Sequence, residues 1–380
     1  MQSLRLGFFT EIYRPVVNGV VASVETLAEG LRARGNHVYC FAPRIPGYDE
    51  KDDPVFRMPS LPLPTRTSYR LTLPLVSRRD RNGIIKRLSL IHAHSPFVTG
   101  WMGLRYARRY GIPLVYTYHP QLEAYAHYVP FEPKATRFAA STITRAYANQ
   151  ADVVVVPTAA MAARLRELGV IARIEIVPTG IDLVRFGSGR RDDALRERLG
   201  VARDDRLLLY VGRLAKEKSV ELLVTALARV RETGLKLVVA GDGPARQELE
   251  RRAREMRVLA FTRFLGVVDR ARLPDLYASA DAFLMPSTTE TQGLVLAEAL
   301  AAGAHVIASD TPQNRDVLGG AGVVVAPTAQ AFAEAMLGVT QGGNPRADSA
   351  REAASRFSAE RQTDRMQHLY ESAIADLRIA

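Results

Sequence analysis

The chain has 380 residues, more than a single hydrophobic core usually supports, so its length predicts two domains. Hydrophobic residues make up 47% of the sequence and charged residues 24%, a composition that excludes a disordered or fibrous protein. No apolar run reaches about 18 residues, so we expect no transmembrane helix, and the run near the start is too short for a signal peptide. The single cysteine, Cys40, cannot form an internal disulfide. Together these features favour a cytoplasmic protein.

The positive charge is concentrated in the first half of the chain. The formal net charge is +11, and residues 1–180 carry 23 Lys and Arg against 13 Asp and Glu, whereas residues 181–380 carry 28 against 27. The densest segment, residues 66–87, contains seven basic residues and one acidic residue, Asp80. The basic residues are Arg66, Arg70, Arg78, Arg79, Arg81, Lys86 and Arg87. Such one-sided basicity predicts an acidic membrane surface or a nucleic acid as partner, with a solvated basic face as the plainer alternative. Few aromatic residues and no zinc-finger or basic-zipper spacing make nucleic acid the less favoured partner.

Short apolar runs alternate with amphipathic segments through the first half. The apolar runs predict strands at residues 4–9, 37–42, 90–94, 113–118, 152–158 and 174–178. The segments between them predict helices at about residues 19–34, 97–110, 132–149 and 159–168. This alternation is typical of a parallel α/β sheet.

A second series of the same kind follows a polar linker at residues 186–205, in which we expect one short helix. It predicts strands at residues 206–212, 235–241, 281–287, 305–310 and 322–327, and helices near 219–231, 244–257, 293–302 and 328–338. An amphipathic stretch over about 346–378 predicts a helix at the end of the chain.

The predicted fold is α/β, with two tandem doubly wound, Rossmann-like domains. The first domain is expected over residues 1–183 and the second over 184–358, and a helix over 359–380 is expected to pack back across both. Ligands of such sheets bind at the carboxyl ends of the strands. We therefore expect the binding site in a cleft between the two domains.

The segment GRLAKEKS at 212–219 follows the first strand of the second series. It departs from the phosphate-binding pattern G-x-x-x-x-G-K-[ST], because Glu217 replaces the second glycine and would put a carboxylate in the place of the anion. Arg213 and Lys218 are still predicted at the mouth of a strand, on an exposed loop before a helix. Two cations beside the positive end of a helix favour a diphosphate site, although two surface cations are the plainer interpretation.

The segment ETQGLVLAE spaces Glu290 and Glu298 eight residues apart, a spacing that also occurs by chance elsewhere in the chain. Glu290 is predicted in the loop after a strand, and Glu298 on a helix among small apolar residues. A carboxylate there is costly to bury without a partner, and the paired hydroxyls of a ribose would provide one. Gly293 and Leu294 are expected to open that helix and to leave backbone N–H groups for a phosphate.

Polar residues also follow the strands of the first half. Asn18 and Gly19 precede the first helix, where glycine would let a ligand approach the backbone closely. His119 follows a predicted strand and is interpreted as a hydrogen-bond donor to a polar ligand. His92 and His94 form a His-x-His pair, but no carboxylate cluster completes a ligand set, so no metal site is predicted.

Taken in chain order, these motifs resemble the family 4 glycosyltransferases, retaining enzymes of the GT-B architecture that use nucleotide-sugars. The segments that carry the resemblance are PVVNGVV, YTYHP, VGRLAKEKS and PSTTETQGLVLAEALAAG, and it extends over nearly the whole chain. The donor-binding residues that it implies are Gly19, Arg213, Lys218, Leu265, Glu290, Gly293, Leu294 and Glu298. Among these, Arg213 and Lys218 would bind the diphosphate and Glu298 the ribose, while Leu265 would lie near the base.

The same resemblance implies a mechanism of front-face attack, in which a donor phosphate oxygen helps to take the proton of the acceptor. The catalytic residues would be His119, Glu290, Arg213 and Lys218. His119 and Glu290 would contact the donor sugar, and the two cations would stabilise the leaving diphosphate without a metal. No cofactor is implied besides the nucleotide-sugar itself, and its base is expected to be uracil, with guanine as the alternative.

Residues 91–130 resemble more narrowly the bacterial glycolipid-forming branch, especially the diacylglycerol glucosyltransferases, although Pro120 stands where a threonine usually follows the histidine. That likeness implies transfer of a hexose, from UDP-glucose or a similar donor, to a lipid acceptor by an enzyme on the inner face of the cell membrane. The residues expected to face the acceptor or the membrane are Asn18, Arg70, Arg78, Arg79, Arg81, Tyr125 and Tyr128. One alternative is a soluble family 4 enzyme, such as a mannosyltransferase acting on an oligosaccharide, inositol-lipid or polyol. The other is a nucleic-acid-binding protein that uses the basic face.

Overall fold

The computed structural model describes residues 3–48, 54–62, 70–77, 80, 83–119, 132–231, 233–340 and 347–379. The chain divides into two compact units: unit 1 comprises Met1–Gly180 with Ala359–Ala380, and unit 2 comprises Ile181–Ser358. The sequence-based boundary lies at residue 183, and the last helix was expected to pack across both domains. In the structure the division follows Gly180, and the last helix belongs to unit 1.

Unit 1 contains a seven-stranded parallel sheet within its described residues. The strands of this unit are β1 (Arg5–Phe9), β2 (His37–Pro43), β3 (Val55–Met58), β4 (Ser60–Pro62), β5 (Arg70–Thr72), β6 (Leu90–Ala93), β7 (Leu114–Thr117), β8 (Val153–Val156) and β9 (Arg173–Ile176). The sheet order is β3-β2-β1-β6-β7-β8-β9, and β4 pairs with β5 as a separate antiparallel hairpin. The helices are α1 (Gly19–Ala33), α2 (Val98–Tyr110), α3 (Pro133–Ala148) and α4 (Ala159–Glu167).

Both faces of this sheet are covered, which explains why its strands are continuous apolar runs rather than alternating ones. All four residues of β8 are valines, and all are buried. Phe8 packs in a core with residues of α1 and of the last helix of the chain, while the next residue, Phe9, packs in a second core with residues of α2, α3 and α4. The alternation of β-strand side chains thus divides the apolar residues between two helical layers.

Unit 2 contains a six-stranded parallel sheet of the order β12-β11-β10-β13-β14-β15. Its strands are β10 (Arg206–Val211), β11 (Leu235–Ala240), β12 (Thr262–Gly266), β13 (Ala282–Met285), β14 (Val306–Ser309) and β15 (Val323–Val325). Its helices are α5 (Leu183–Gly187), α6 (Asp193–Arg198), α7 (Glu221–Arg229), α8 (Arg246–Glu255), α9 (Leu273–Ser279), α10 (Leu294–Ala301), α11 (Pro312–Leu318), α12 (Ala329–Thr340) and α13 (Ala347–Ala354). The chain ends with α14 (Ala359–Ile379) of unit 1.

The prediction of two doubly wound α/β halves is confirmed by these sheet orders. The amphipathic stretch over 346–378 contains two helices, α13 and α14, and the helix expected over 359–380 corresponds to α14. A 3-10 turn at Ser355–Phe357 follows α13, and Ser358 is extended, with φ −63° and ψ 132°, so α14 begins afresh at Ala359. The extended residue forms an isolated parallel bridge with Ile181, a backbone pairing that a continuous helix would not allow.

The sheet orders also show where a ligand is expected. In each unit the strand order reverses beside the first strand of that unit, between β1 and β6 in unit 1 and between β10 and β13 in unit 2. Helices on opposite sides of a doubly wound sheet separate at this switch point and leave a crevice outside the carboxyl ends of the strands. The loops after β1, β6, β10 and β13 are therefore the places to look for a site.

Candidate functional site

In unit 2 the loops after β10 and β13 are brought side by side by direct strand pairing, in which Leu209 lies opposite Phe283. The first loop carries Arg213 and Lys218, and the second carries Glu290. Across them, Lys218 Nζ donates to Glu290 Oε1 at 2.5 Å, with side chains that are 20% and 13% exposed. The two loops predicted to bind a donor are thus connected by a largely buried ion pair.

Additional hydrogen bonds fix the shape of the first loop. The hydroxyls of Ser287 and Thr289 donate to the backbone oxygen of Glu217, at 3.4 Å and 3.1 Å. The hydroxyl of Tyr210 donates to the backbone oxygen of Arg213 at 3.1 Å, and burial together with nearby carboxylates raises the pKa of Tyr210 well above its usual value. The expectation that Arg213 and Lys218 lie on an exposed loop is wrong, because both residues are partly buried.

Close backbone approach explains the glycines around this loop. Gly241 has φ +144°, and a Cβ there would lie 1.8 Å from the backbone oxygen of Gly212. A Cβ on Gly243 would lie 2.3 Å from the backbone oxygen of Leu214. The ends of β10 and β11 therefore pack backbone against backbone, which only glycine permits.

The helix predicted to offer backbone N–H groups to a phosphate does begin at Leu294. Gly293 caps it in the left-handed region, with φ +74° and no side-chain cap, and Glu290 Cγ would lie 3.5 Å from a Cβ on that glycine. The start of α10 thus lies beside the loop that carries Glu290.

Glu298 lies on α10 and is only 6% exposed. Its Oε2 accepts a hydrogen bond from the Tyr277 hydroxyl at 2.9 Å, and Arg270 lies 3.9 Å from Oε1. Burial raises the pKa of the Glu298 carboxyl, opposed by Arg270 and by the tyrosine hydrogen bond. Tyr277, which sequence reasoning missed, orients this carboxylate and leaves Oε1 for a further partner. Leu265 is partly buried on β12, two strands from β10, and packs against the core.

In unit 1 the switch point between β1 and β6 is also polar. Asn18 caps α1, because its Oδ1 accepts the backbone N–H of Val21 at 2.9 Å, and Gly19 is the first residue of that helix. Glu11, which was not predicted, accepts hydrogen bonds from the Thr72 N–H at 3.3 Å and the Thr99 N–H at 3.0 Å. The adjacent pair Thr10-Glu11 directly after an apolar strand is the signal that could have identified this carboxylate.

Three histidines lie at the ends of β6 and β7. His94 Nδ1 lies 3.0 Å from His119 Nε2, and the rings of His92 and His94 have centroids 4.0 Å apart. His92 Nδ1 lies 2.7 Å from the hydroxyl of Tyr370 on α14, and its Nε2 lies 2.7 Å from the Thr117 hydroxyl.

Burial lowers the pKa of His92 and His94 well below the usual value, with a smaller repulsion from neighbouring histidines, and it lowers the pKa of His119 to about 4. All three rings are therefore neutral at pH 7. Among the described residues, no group of three or more His, Cys, Asp or Glu side chains has the arrangement of a metal site.

Part of the predicted acceptor surface lies outside the described residues, namely Arg78, Arg79, Arg81, Tyr125 and Tyr128. Arg70 is described, and its guanidinium donates to Ser60, at 2.8 Å to the hydroxyl and 3.0 Å to the backbone oxygen. Arg70 and Glu11 line the same small hollow of unit 1. None of the helices in the described ranges is both long and apolar enough to span a membrane.

Two family models match the chain and divide it between them. The model described as Glycosyltransferase Family 4 matches residues 17–185, and the model described as Glycosyl transferases group 1 matches residues 191–356. The first match contains the capped start of α1 and the histidines, and the second contains the ion pair and Glu298.

Characterised relatives are similar over most of the chain. The alpha-monoglucosyldiacylglycerol synthase of Acholeplasma laidlawii is 35% identical over 319 residues, which cover 80% of each chain. The GDP-mannose-dependent alpha-mannosyltransferase of Mycolicibacterium smegmatis is 32% identical over 324 residues, covering 83% of this chain and 82% of the relative.

Solved structures match the fold. Sucrose-phosphate synthase from Thermosynechococcus elongatus has a TM-score of 0.80 at 23% identity, covering 98% of this chain and 100% of that one. HepE of Anabaena, solved in complex with UDP and glucose, has a TM-score of 0.77 at 19% identity, covering 97% and 100%. Together with the family models and the relatives, these likenesses identify the chain as a hexosyltransferase of GT-B fold that belongs to the group 1 and family 4 glycosyltransferases.

Proposed function

We propose that this enzyme is a retaining hexosyltransferase that moves a hexose from UDP-glucose, or a similar nucleotide-sugar, to a lipid such as diacylglycerol at a membrane surface. The observation that carries the donor half is the Lys218–Glu290 pair at the switch point of unit 2, with Arg213 on the same loop. A largely buried cation held by one carboxylate is positioned before any ligand binds. It can therefore meet a diphosphate without a large cost of rearrangement.

The donor is proposed to lie along the loops after β10 and β13. Arg213, Lys218 and the first N–H groups of α10 would hold the diphosphate, and the positive end of that helix would favour its charge. Glu298 Oε1 would accept hydrogen bonds from the ribose, while Leu265 would lie near the base. Glu290 would contact the hexose.

Charge development at the leaving diphosphate is the step that these residues can stabilise. When the bond between the sugar and the phosphate breaks, negative charge grows on the diphosphate, and two nearby cations in a partly desolvated loop attract it more strongly than water does. A phosphate oxygen of the same donor would take the proton of the acceptor hydroxyl, so that attack occurs on the face that the diphosphate leaves. No metal is needed in this scheme.

From unit 1, His119 is proposed to give a hydrogen bond to a hydroxyl of the donor sugar, and Gly19 is proposed to lie beside the phosphates. A neutral imidazole suits the first role, because it donates one hydrogen bond without adding charge next to the sugar. Gly19 begins a 15-residue helix whose N-terminal N–H groups are partial positive charges.

The proposal of a lipid acceptor is supported by the relatives named as alpha-monoglucosyldiacylglycerol synthases, one of which is 35% identical over 80% of this chain. It is also supported by the surface of unit 1. On α3, Phe138 is 73% exposed, and Lys134 and Arg137 on the same helix are exposed as well. Trp101 of α2 is 45% exposed and packs edge-on against Tyr147 of α3.

Exposed aromatic residues among basic ones are typical of a surface that rests on an anionic membrane. The test uses sedimentation with phosphatidylglycerol vesicles and with neutral phosphatidylcholine vesicles, each at low and high salt. We expect binding to the anionic vesicles alone, weakened by salt and by Phe138→Ser. An enzyme that binds neither kind of vesicle at low salt would contradict the membrane part of the proposal.

Donor and acceptor are tested together with the purified enzyme. UDP-glucose with diacylglycerol in mixed micelles should yield a monoglucosyl lipid of α configuration, with and without a metal chelator. A matched reaction with GDP-mannose and phosphatidylinositol tests the second candidate, a mannosyltransferase, which the 32% identity to the Mycolicibacterium smegmatis enzyme favours. Product from that pair alone would move the function to mannosyl transfer. Binding of UDP, GDP and ADP, measured as thermal shifts, identifies the base separately.

A further inference from the structure

His94 contacts His119 and is almost completely buried, with 3% of its surface exposed, whereas His119 is only partly buried. The proposed function gives His119 a role at the sugar but gives His94 none. The two rings are joined by the 3.0 Å contact between His94 Nδ1 and His119 Nε2. One of these nitrogens must donate and the other accept, so the contact decides which nitrogen of His119 carries its proton.

The ring of His94 is held in one orientation by its neighbours. Phe8 lies on one side with a centroid distance of 4.9 Å, and His92 lies at 4.0 Å. His92 is fixed in turn, since both of its ring nitrogens have hydroxyl partners, Tyr370 and Thr117. His94 therefore cannot turn to offer a different atom to His119 without disturbing this packing.

The second nitrogen of His94 settles the direction of the hydrogen bond. His94 Nε2 is buried, and among the described residues it has no hydrogen-bond partner. If His119 donated, neutral His94 would carry its proton on Nε2, and a buried N–H group would be left without an acceptor. If His94 donates from Nδ1, Nε2 is a bare lone pair. Buried N–H groups without partners are rarer in proteins than buried acceptors without partners, so donation by His94 is favoured.

We infer that His94 holds His119 in the tautomer protonated at Nδ1, and that it is thereby a positioning residue for the hydrogen bond that His119 gives to the donor sugar. The tautomer follows from the geometry of unit 1 alone, while its use in transfer rests on the proposed function. Without a donor at position 94, this contact would no longer fix the proton of His119, and a smaller fraction of the enzyme would be ready to bind the sugar.

The tautomer is measured directly on the full-length enzyme labelled with ¹⁵N-histidine. Long-range ¹H–¹⁵N correlation spectra distinguish protonated from unprotonated ring nitrogens, and the signal of His119, one of seven histidines, is identified from its loss in His119→Gln. We expect a protonated Nδ1 and an unprotonated Nε2 in the ligand-free enzyme at pH 7. A protonated Nε2 would overturn the inference, whatever the activity.

Two substitutions of His94 separate positioning from packing. In His94→Asn the amide can place an N–H group where Nδ1 was, so we expect the same His119 tautomer and a kcat within about threefold of the wild type. In His94→Leu that donor is lost, and we expect mixed tautomers and a kcat for hexose transfer about tenfold lower. If both variants kept the wild-type tautomer and kcat, His94 would have no positioning role.

The spectra also separate this inference from the proposed function. An enzyme that shows the expected tautomer but transfers no hexose would refute the proposed function. It would not refute the inference that His94 fixes the position of the proton on His119. If His94→Leu does not fold, the wild-type spectrum and the His94→Asn variant still decide the question. Lower melting temperatures in both variants with an unchanged His119 tautomer would indicate a purely structural residue and would overturn the inference.

Discussion

The ion pair between Lys218 and Glu290 should couple the loops after β10 and β13 even when no donor is bound. Two unit charges about 4 Å apart attract by about 4 kcal/mol at an effective dielectric constant of about 20. Desolvation offsets part of this attraction, because the two side chains are only 20% and 13% exposed. A charged hydrogen bond of this kind contributes about 2 kcal/mol net. Lys218→Met and Glu290→Gln should each lower the free energy of unfolding by about that amount.

A double-mutant cycle measures the coupling itself. The double variant Lys218→Met, Glu290→Gln should be about 2 kcal/mol more stable than the sum of the single effects predicts, because the second substitution removes a partner that is already lost. Urea unfolding is followed by far-UV circular dichroism, while the fluorescence of the single tryptophan, Trp101, reports on unit 1 separately. The matched control is the exposed pair Arg251–Glu248, whose side chains are 55% and 57% exposed and whose coupling should be much weaker because water screens it.

Additive effects at Lys218 and Glu290 would refute this reasoning, since they would mean that the two side chains do not meet in solution. The same single variants carry a second readout. If Lys218 stabilises the leaving diphosphate, Lys218→Met should lower kcat far more than its loss of stability explains. Full activity in that variant would place the diphosphate elsewhere.

Three further expectations follow from pKa values, backbone geometry and hydrogen bonding. The pKa of His119 is about 4 in the folded protein and 6.5 in the unfolded chain, so acid should destabilise the fold, by about 2 kcal/mol at pH 5 from this residue alone. Urea titrations at pH 7 and pH 5 measure this loss, which should be smaller in His119→Gln. Gly241→Ala should lower the free energy of unfolding by about 3 kcal/mol or more, because the added Cβ would lie 1.8 Å from a carbonyl oxygen. Gly338→Ala, which adds a Cβ in open space on a helix, should leave that free energy unchanged or raise it in the same urea titrations. Tyr277→Phe should lower the unfolding free energy by about 1–2 kcal/mol and raise the dissociation constant of UDP in calorimetry; an unchanged constant would disconnect Glu298 from the ribose.

The sequence was sufficient for the strands that lie in the middle of each sheet. β8 and β11 are runs of buried apolar residues, so their positions could be predicted to within two residues. The edge strands β3 and β12 were missed, because Arg57 and Arg263 interrupt short segments whose pairing depends on a neighbouring strand rather than on their own pattern. The extended residue that separates α13 from α14 depends on a distant partner in the same way, since Ser358 forms its bridge with Ile181.

Sequence order also predicted which side chains lie at strand ends, but it did not predict which residues contact them. Arg213, Lys218 and Glu290 each follow an apolar strand, and parallel strands put such residues at one edge of a sheet. Their burial could not be read from the chain, and neither could the contact of Tyr370 with His92, which are 278 residues apart. Residues that orient a site from a distance leave no local pattern, so they become visible only when the fold brings them together.

The two units have the same switch-point topology but place opposite chemistry at it. In unit 2, Lys218 and Glu290 form an ion pair in a partly buried loop. In unit 1, burial lowers the pKa values of His94 and His119, so their rings are neutral at pH 7. In the proposed function, charge would bind the diphosphate and a directed neutral hydrogen bond would bind a sugar hydroxyl, so the two switch points would offer different environments at the same topological position. This division explains why sequence reasoning identified the charged residues more readily. A lysine at a strand end suggests an anion at once, whereas a histidine has a defined role only after its burial and its partner are known.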